Sequence, residues 1–191
     1  MKKIITLLLI SVFVLTSCGD DGAIGPQGPQ GPPGEDGLDG LGYTFEETVT
    51  LEYFSDANLY STFINIPENV VTIDPDADAV LIYRLNVVEA TDGSNLDTWS
   101  LIPQNFFLDD GIIQYVYNHT VNDVEIIIDG NFDLSTLSSQ FTENQTFRVV
   151  VVPSSSNFAQ ITGLDVSNLD AVMYALDLNE SDVKKLETAI K

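Results

Sequence analysis

The sequence of 191 residues has one cysteine, one histidine, one tryptophan and only seven Lys plus Arg, set against 29 Asp plus Glu. Each shortage removes a class of answer. A disulfide framework needs paired cysteines, and a structural zinc site needs about four Cys or His ligands; neither forms within one such chain. Binding to DNA or RNA draws its affinity from cations that neutralise phosphates, and a formal charge of −22 leaves no basic face for that. Nucleic acid is excluded as a partner. No G-x-S-x-G turn is present to raise a nucleophilic serine, and no glycine-rich loop leads into Lys-Ser and a helix. The chain is nonetheless too apolar to be disordered throughout, with 44 % hydrophobic residues, ten Phe and seven Tyr. One core is expected.

The N-terminal residues read as a secretory signal peptide. Lys2 and Lys3 precede a weakly polar to apolar run over residues 4–14, and Leu15-Thr16-Ser17-Cys18 follows it. Eleven residues are fewer than the roughly 20 that a helix needs to cross a bilayer, and the cationic leader fits an exported segment. The Leu15-Thr16-Ser17-Cys18 string resembles the lipobox of bacterial lipoproteins. That resemblance implies cleavage before Cys18, acylation of its thiol and anchoring of the chain to a membrane through lipid. Each buried CH₂ is worth about 0.8 kcal/mol, so two or three acyl chains hold a protein stably where one does not. Loss of residues 1–17 would leave five cations against 29 anions, a formal −24, so attraction to anionic lipid adds nothing to the anchor. In lipoproteins of this kind an Asp after the Cys favours inner-membrane retention; here Gly19 stands there, and Asp20 and Asp21 resemble a surface-export signal. Outer-membrane sorting follows as the expectation, at the cell surface rather than the periplasmic face.

From Gly19 the chain carries glycine at every third place: Gly19, Gly22, Gly25, Gly28, Gly31, Gly34, Gly37 and Gly40, until Gly42 comes a residue early. Only hydrogen fits at the axis of three wound polyproline II chains, so this spacing, with prolines between, is a collagen-like Gly-X-Y repeat. Two assemblies stay open. Asp20, Asp21, Glu35, Asp36 and Asp39 have no Lys in the segment to pair with, which favours a single solvated stalk; the alternative is a homotrimer through the triplets. Either serves as a spacer, reaching roughly 70 Å at about 3.1 Å per residue.

Beyond Gly42 the composition turns to short β-branched and aromatic runs with a period of two. Phe45, Glu47, Val49, Leu51 and Tyr53 alternate with Thr44, Glu46, Thr48, Thr50 and Glu52, which predicts a strand with one face on a core and one in water. Further strands are expected over 60–66, 70–73, 80–88, 98–102, 112–117, 124–128 and 147–152. Turn residues at Asp92-Gly93-Ser94-Asn95, Asp109-Asp110-Gly111 and Asn122-Asp123, and ladder-stopping prolines at 67, 75, 103 and 153, separate them. Seven to nine strands without intervening helices read as a mainly β fold, an antiparallel β-sandwich or jelly-roll-like domain over 43–160. The tail, 161–191, reads as short helices packed on it. Leu169, Val172, Met173 and Leu176 recur at helical spacing with Ser167 as N-cap, and a second helix is expected from Ser181 with Val183, Leu186 and Ile190 on one face.

The whole layout resembles bacterial collagen-like surface lipoproteins: a lipobox, a few triplets, then a β-domain with Ala79-Val80-Leu81-Ile82-Tyr83, Trp99-Ser100-Leu101-Ile102-Pro103 and Phe147-Arg148-Val149-Val150-Val151-Val152-Pro153 strings and a short helical tail. The resemblance implies an anchored extracellular module with no established catalytic residues to carry over.

Chemistry-bearing clusters are few. Asp74, Asp76 and Asp78 alternate along Asp74-Pro75-Asp76-Ala77-Asp78, so an extended chain turns three carboxylates the same way, a candidate calcium site that still lacks most of the six to eight oxygens the ion takes. The bland alternative is a solvated acidic loop. Trp99, with Phe106 and Phe107 nearby in sequence, is a candidate platform for a sugar ring or, alternatively, a core residue. His119 has no second His or Cys and reads as a surface or edge histidine. No catalytic constellation emerges, and the expected function is non-enzymatic adhesion, interaction or structural display towards an extracellular protein or glycan, with glycan or calcium binding as the alternative and a degenerate hydrolase third. No other cofactor is implied.

Overall fold

The computed structural model describes residues 42–67, 73–74, 78–154 and 163–186. Cys18, the eight collagen-like glycines, Asp76, Ile190 and most of the strand expected at 70–73 lie outside the described residues.

Ten strands form two five-stranded sheets. In chain order they are β1 (Tyr43–Val49), β2 (Glu52–Phe54), β3 (Leu59–Asn65), β4 (Ala79–Glu89), β5 (Asn95–Leu101), β6 (Gln104–Leu108), β7 (Gly111–His119), β8 (Asp123–Gly130), β9 (Gln145–Val152) and β10 (Lys184–Lys185). Among the described residues one α-helix, α1 (Leu169–Ala175), precedes β10. The first sheet runs β10-β1-β9-β4-β5 and the second β2-β3-β8-β7-β6. Every pairing is antiparallel except the two-residue contact of β10 with β1. The protein is therefore mainly β, with antiparallel-rich sheets, as the period of two predicts.

Local chemistry sets the hairpins. Between β4 and β5, Gly93 takes φ +82° and the Asp92 carboxylate accepts the Ser94 backbone N–H, closing the turn. Asn58, at φ +52°, ends the β2–β3 turn, where its Oδ1 accepts the Tyr53 hydroxyl and the Leu134 N–H. The run expected as one strand over 44–53 breaks at Thr50: β1 belongs to the first sheet and β2 to the second.

Both sheets contribute to one core. Phe45, Ile82, Phe147, Val149 and Val151 from the first meet Ile64, Ile113, Tyr115, Ile126 and Ile128 from the second, all fully buried. A hydrogen bond from the Tyr117 hydroxyl to the Val80 carbonyl, 2.8 Å, ties β7 to β4 across the gap. The second sheet keeps the expected alternation, with Val124, Ile126 and Ile128 buried and Asp129 exposed.

The first sheet does not keep it, which corrects the expectation of a polar face in water. Its other side carries a second buried cluster, in which Tyr83, Val150 and Val152 meet Leu169, Val172, Met173 and Leu176 of the helical tail and Val183. Consequently β1 buries Thr44 and Glu46 as well as Phe45, and β9 is buried along almost its whole length. A strand covered on both faces reads as an unbroken apolar run, as Val149-Val150-Val151-Val152 does. The helix forms where helical spacing predicts, although Asn168 rather than Ser167 caps it, accepting the Ala171 N–H at 3.1 Å. Over its described residues, 181–186, the helix expected from Ser181 does not form. Residues Glu180–Asp182 make a 3-10 turn and Lys184–Lys185 become an edge strand, because the open edge of β1 offers backbone hydrogen bonds that outweigh a short exposed helix.

Candidate functional site

Two arginines on neighbouring central strands organise the polar chemistry of the described domain. Successive residues of a strand point to opposite faces. Arg84 on β4 pairs in register with Phe147, and Arg148 on β9 pairs with Tyr83, so Arg84 faces the gap between the sheets while Arg148 faces the helical tail. Both are buried, at 7 % and 3 % exposure.

Arg148 is neutralised. Its Nη2 and Nε donate to Glu46 Oε2 at 2.9 and 3.2 Å, and its Nη1 and Nη2 donate to the two oxygens of Glu180 at 2.6 and 3.0 Å. The register of β1 on β9 places Glu46 opposite Arg148, and the register of β10 on β1 places Lys185 beside Glu46, with Nζ 3.1 Å from Oε1. The guanidinium also stacks 4.4 Å from the Trp99 ring centre. Burial pulls the Arg148 pKa down, but hydrogen bonds from Glu180 and Glu46 outweigh it and leave the group above its ordinary value.

Arg84 is not neutralised in this way. Among the described residues no carboxylate comes within ion-pair distance of it. Its Nε and Nη2 donate to Gln145 Oε1 at 2.9 and 2.6 Å, and Nη1 donates to Asn86 Oδ1. The guanidinium lies 4.7 Å from the Tyr115 ring centre and 5.3 Å from that of Phe106. Burial pushes the Tyr115 phenol up to about 12, with the Arg84 cation and a hydrogen bond to it pulling the other way. Gln145 is itself fixed, since its Nε2 donates to the carbonyls of Gln140 and Glu143. Above this arrangement a cleft of about 540 Å³ opens between β4, the 3-10 turn Ser139–Phe141 and the start of β9. Arg84, Asn86, Gln140, Asn144, Gln145 and Phe106 are among the residues that line it. A neighbouring cleft of about 420 Å³, which shares Gln140 and Phe141, carries Asp109 and Asp110 and no basic residue.

The residues singled out in the sequence fall elsewhere. Trp99 is half-buried on the helical-tail side of the first sheet, and one ring face is taken by Arg148. Phe106 sits against the inter-sheet core and Phe107 is 79 % exposed, so the three rings do not form one platform. Asp78 serves its own loop: one oxygen accepts the Asp74 N–H at 2.9 Å and the other the Ser154 N–H at 2.8 Å. Burial raises its pKa and these hydrogen bonds lower it, with a net fall. Asp76 lies outside the described residues, and among the described residues no group of three acidic, His or Cys side chains is placed to hold a metal ion. His119 closes β7, half-buried, with Nδ1 buried and without a hydrogen-bond partner. Sequence reading passed over Arg84 and Arg148, although each is a lone cation inside an apolar strand, and that interruption is itself a signal.

Compared with family models, with curated proteins and with solved structures, the chain matches none.

Proposed function

We propose that the chain is a non-enzymatic lipoprotein, held in the outer membrane through acylated Cys18 and displayed at the cell surface, whose β-sandwich or jelly-roll-like domain acts as an adhesion, interaction or structural module on a collagen-like spacer. The order of segments carries the reading. An apolar leader, a single cysteine at its end, eight glycines at strict threefold spacing and a β-rich domain follow one another with nothing between. Lipid supplies the attachment, the triplets supply reach, and a strongly acidic domain is kept off an anionic membrane. The alternative assembly, a homotrimer through the Gly-X-Y segment, uses the same parts.

A second reading, glycan binding, is favoured by one observation: the cleft over Arg84 sets amide side chains and a cation beside apolar and aromatic surface from Val87, Phe106 and Phe141. For the calcium variant of that reading, the Asp78 geometry offers little, because both carboxylate oxygens already accept backbone N–H groups.

Metabolic labelling with an alkyne fatty acid, followed by fractionation and protease treatment of whole cells, tests the leading reading. The wild-type chain is expected to take up label, sediment with membranes and be cleaved from outside. Cys18→Ala is expected to lose the label and the membrane association. Retention of both by the variant overturns the anchor, and protection of the wild type in intact cells overturns surface display.

A further inference from the structure

The cleft over Arg84 has the makings of a binding site for an acidic sugar. Arg84 is a permanent cation, nine-tenths buried, whose hydrogen-bond partners among the described residues are neutral: the oxygens of Gln145 and Asn86 and the Tyr115 phenol. Leaving a charge buried without a counter-charge is costly, and in a chain with 29 carboxylates one could readily have been placed beside it. Arg148, one register step away, has two. The fork geometry of a guanidinium matches a carboxylate, and such charge-assisted pairs are the strong ones.

Lining chemistry narrows the ligand. Gln140 and Asn144 each carry an amide with both a donor and an acceptor, which suits vicinal hydroxyls, themselves donors and acceptors, whereas the Asn86 amide is already engaged by Arg84 and Ser100. The overall charge of −22 repels a polyanion, whereas one carboxylate meeting one local cation is favoured at short range. A volume of about 540 Å³ fits a small saccharide unit, within the roughly 300–1,000 Å³ of ordinary ligand clefts.

We infer that this cleft binds a sugar acid, with the ligand carboxylate on Arg84 and its hydroxyls on the amides of Gln140 and Asn144. The inference rests on the glycan-binding reading and gives it a ligand class and a cation. Two sources share the chemistry, uronic acids and nonulosonic acids such as N-acetylneuraminate.

The test is a titration of the purified full chain in detergent, by saturation-transfer NMR and calorimetry, with galacturonate, its methyl ester and N-acetylneuraminate. At least one acid is expected to bind, the ester at least about tenfold more weakly than its acid, and all binding to weaken with added salt. Arg84→Gln is expected to abolish it. Asn86→Asp is the decisive variant, because it keeps the shape and the acceptor towards Nη1 while supplying an internal carboxylate. Its affinity is expected to fall at least about tenfold while its melting temperature does not fall. Acid binding with the N-acetylneuraminate arm silent identifies the uronic source, and the converse the other. Equal affinity for acid and ester, unchanged affinity in Asn86→Asp, or no binding by any acid at about 10 mM overturns the inference. The assay does not depend on anchoring, so its failure leaves surface display to its own labelling experiment.

Discussion

Arg148 and Arg84 are one register step apart on β9 and β4, equally hidden from water, and yet surrounded in opposite ways. On the helical-tail side, Glu46, Glu180 and Trp99 converge on Arg148 from β1, the 3-10 turn and β5, and Lys185 of β10 pairs with the other oxygen of Glu46. At the mouth of the inter-sheet gap, Arg84 meets two amide oxygens, two aromatic rings and a cleft. The first arrangement spends its charge on fixing the tail to the sheet. The second leaves its charge to be met from outside. One side of the first sheet is therefore built for cohesion and the edge of the other for contact.

The comparison breaks most visibly if Arg148 is removed. Arg148→Met takes from Glu46, whose side chain is only 11 % exposed, the buried one of its two counter-charges, leaves it the exposed Lys185, and loosens Glu180 and Trp99 as well. Breaking a buried pair by removing one partner costs about 3–5 kcal/mol, and with Lys185 still beside Glu46 urea denaturation is expected to show a loss near the lower end of that range, about 3 kcal/mol. A loss under about 1 kcal/mol would mean that the tail is held by Leu169, Val172, Met173 and Leu176 alone. Arg84→Met sharpens the contrast. It strands no carboxylate, and the lost hydrogen bonds to Gln145 and Asn86 are offset by relief of the buried charge, so about 1 kcal/mol is expected. A cost equal to that of Arg148→Met would erase the distinction between the two sites.

How much of this was legible in the sequence differs between the same two regions. Most strands were legible because alternation is a local pattern, although β6 fell between the expected runs at 98–102 and 112–117, and the helix at Leu169 was legible because i, i+3, i+4 and i+7 is another. The covering of the first sheet on both faces was not, because Glu46 looks like a solvent-facing residue until Arg148, 102 positions away, is paired opposite it. Only the unbroken apolar run of β9 hinted at it. Sequence likewise offered Val183, Leu186 and Ile190 as a helical face, and no local signal shows that β1 has an open edge waiting for Lys184 and Lys185. The Arg84 cleft is assembled from β4, β6, a 3-10 turn and β9, four segments whose meeting only the fold brings about. Trp99, by contrast, drew attention by rarity rather than by position.

A smaller effect of opposite sign comes from giving Arg84 what Arg148 has. Asn86→Asp places a carboxylate where Oδ1 already accepts from Nη1. It sacrifices the Nδ2 donor to Ser100 Oγ at 3.0 Å, so the net gain is expected to be about 1 kcal/mol at neutral pH, read as a higher urea midpoint at an unchanged m-value. A decrease in stability would show that Arg84 is already satisfied by amides and that its charge asks for nothing more.

The smallest effect concerns the exposed member of the Arg148 cluster. Glu180 hydrogen-bonds Arg148, which holds its carboxyl below the usual value of 4.5 against a smaller opposing effect of burial. A carboxyl whose folded-state pKa is depressed stabilises the fold fully above its unfolded value and loses that contribution as pH falls through the folded one. The side chain is 70 % exposed, so solvent screening confines the contribution to about 0.5 kcal/mol or less. Wild type and Glu180→Gln are therefore expected to differ by that amount near pH 7 and to converge below pH 4.5, with Asp78 and the other carboxyls cancelling because both chains carry them. About 1 M salt, where the Debye length is near 3 Å, is expected to shrink the difference at pH 7 as well. A gap that persists at pH 3 or in high salt would assign the role of Glu180 to packing over the tail rather than to its charge, and would leave Glu46 as the carboxylate that neutralises Arg148.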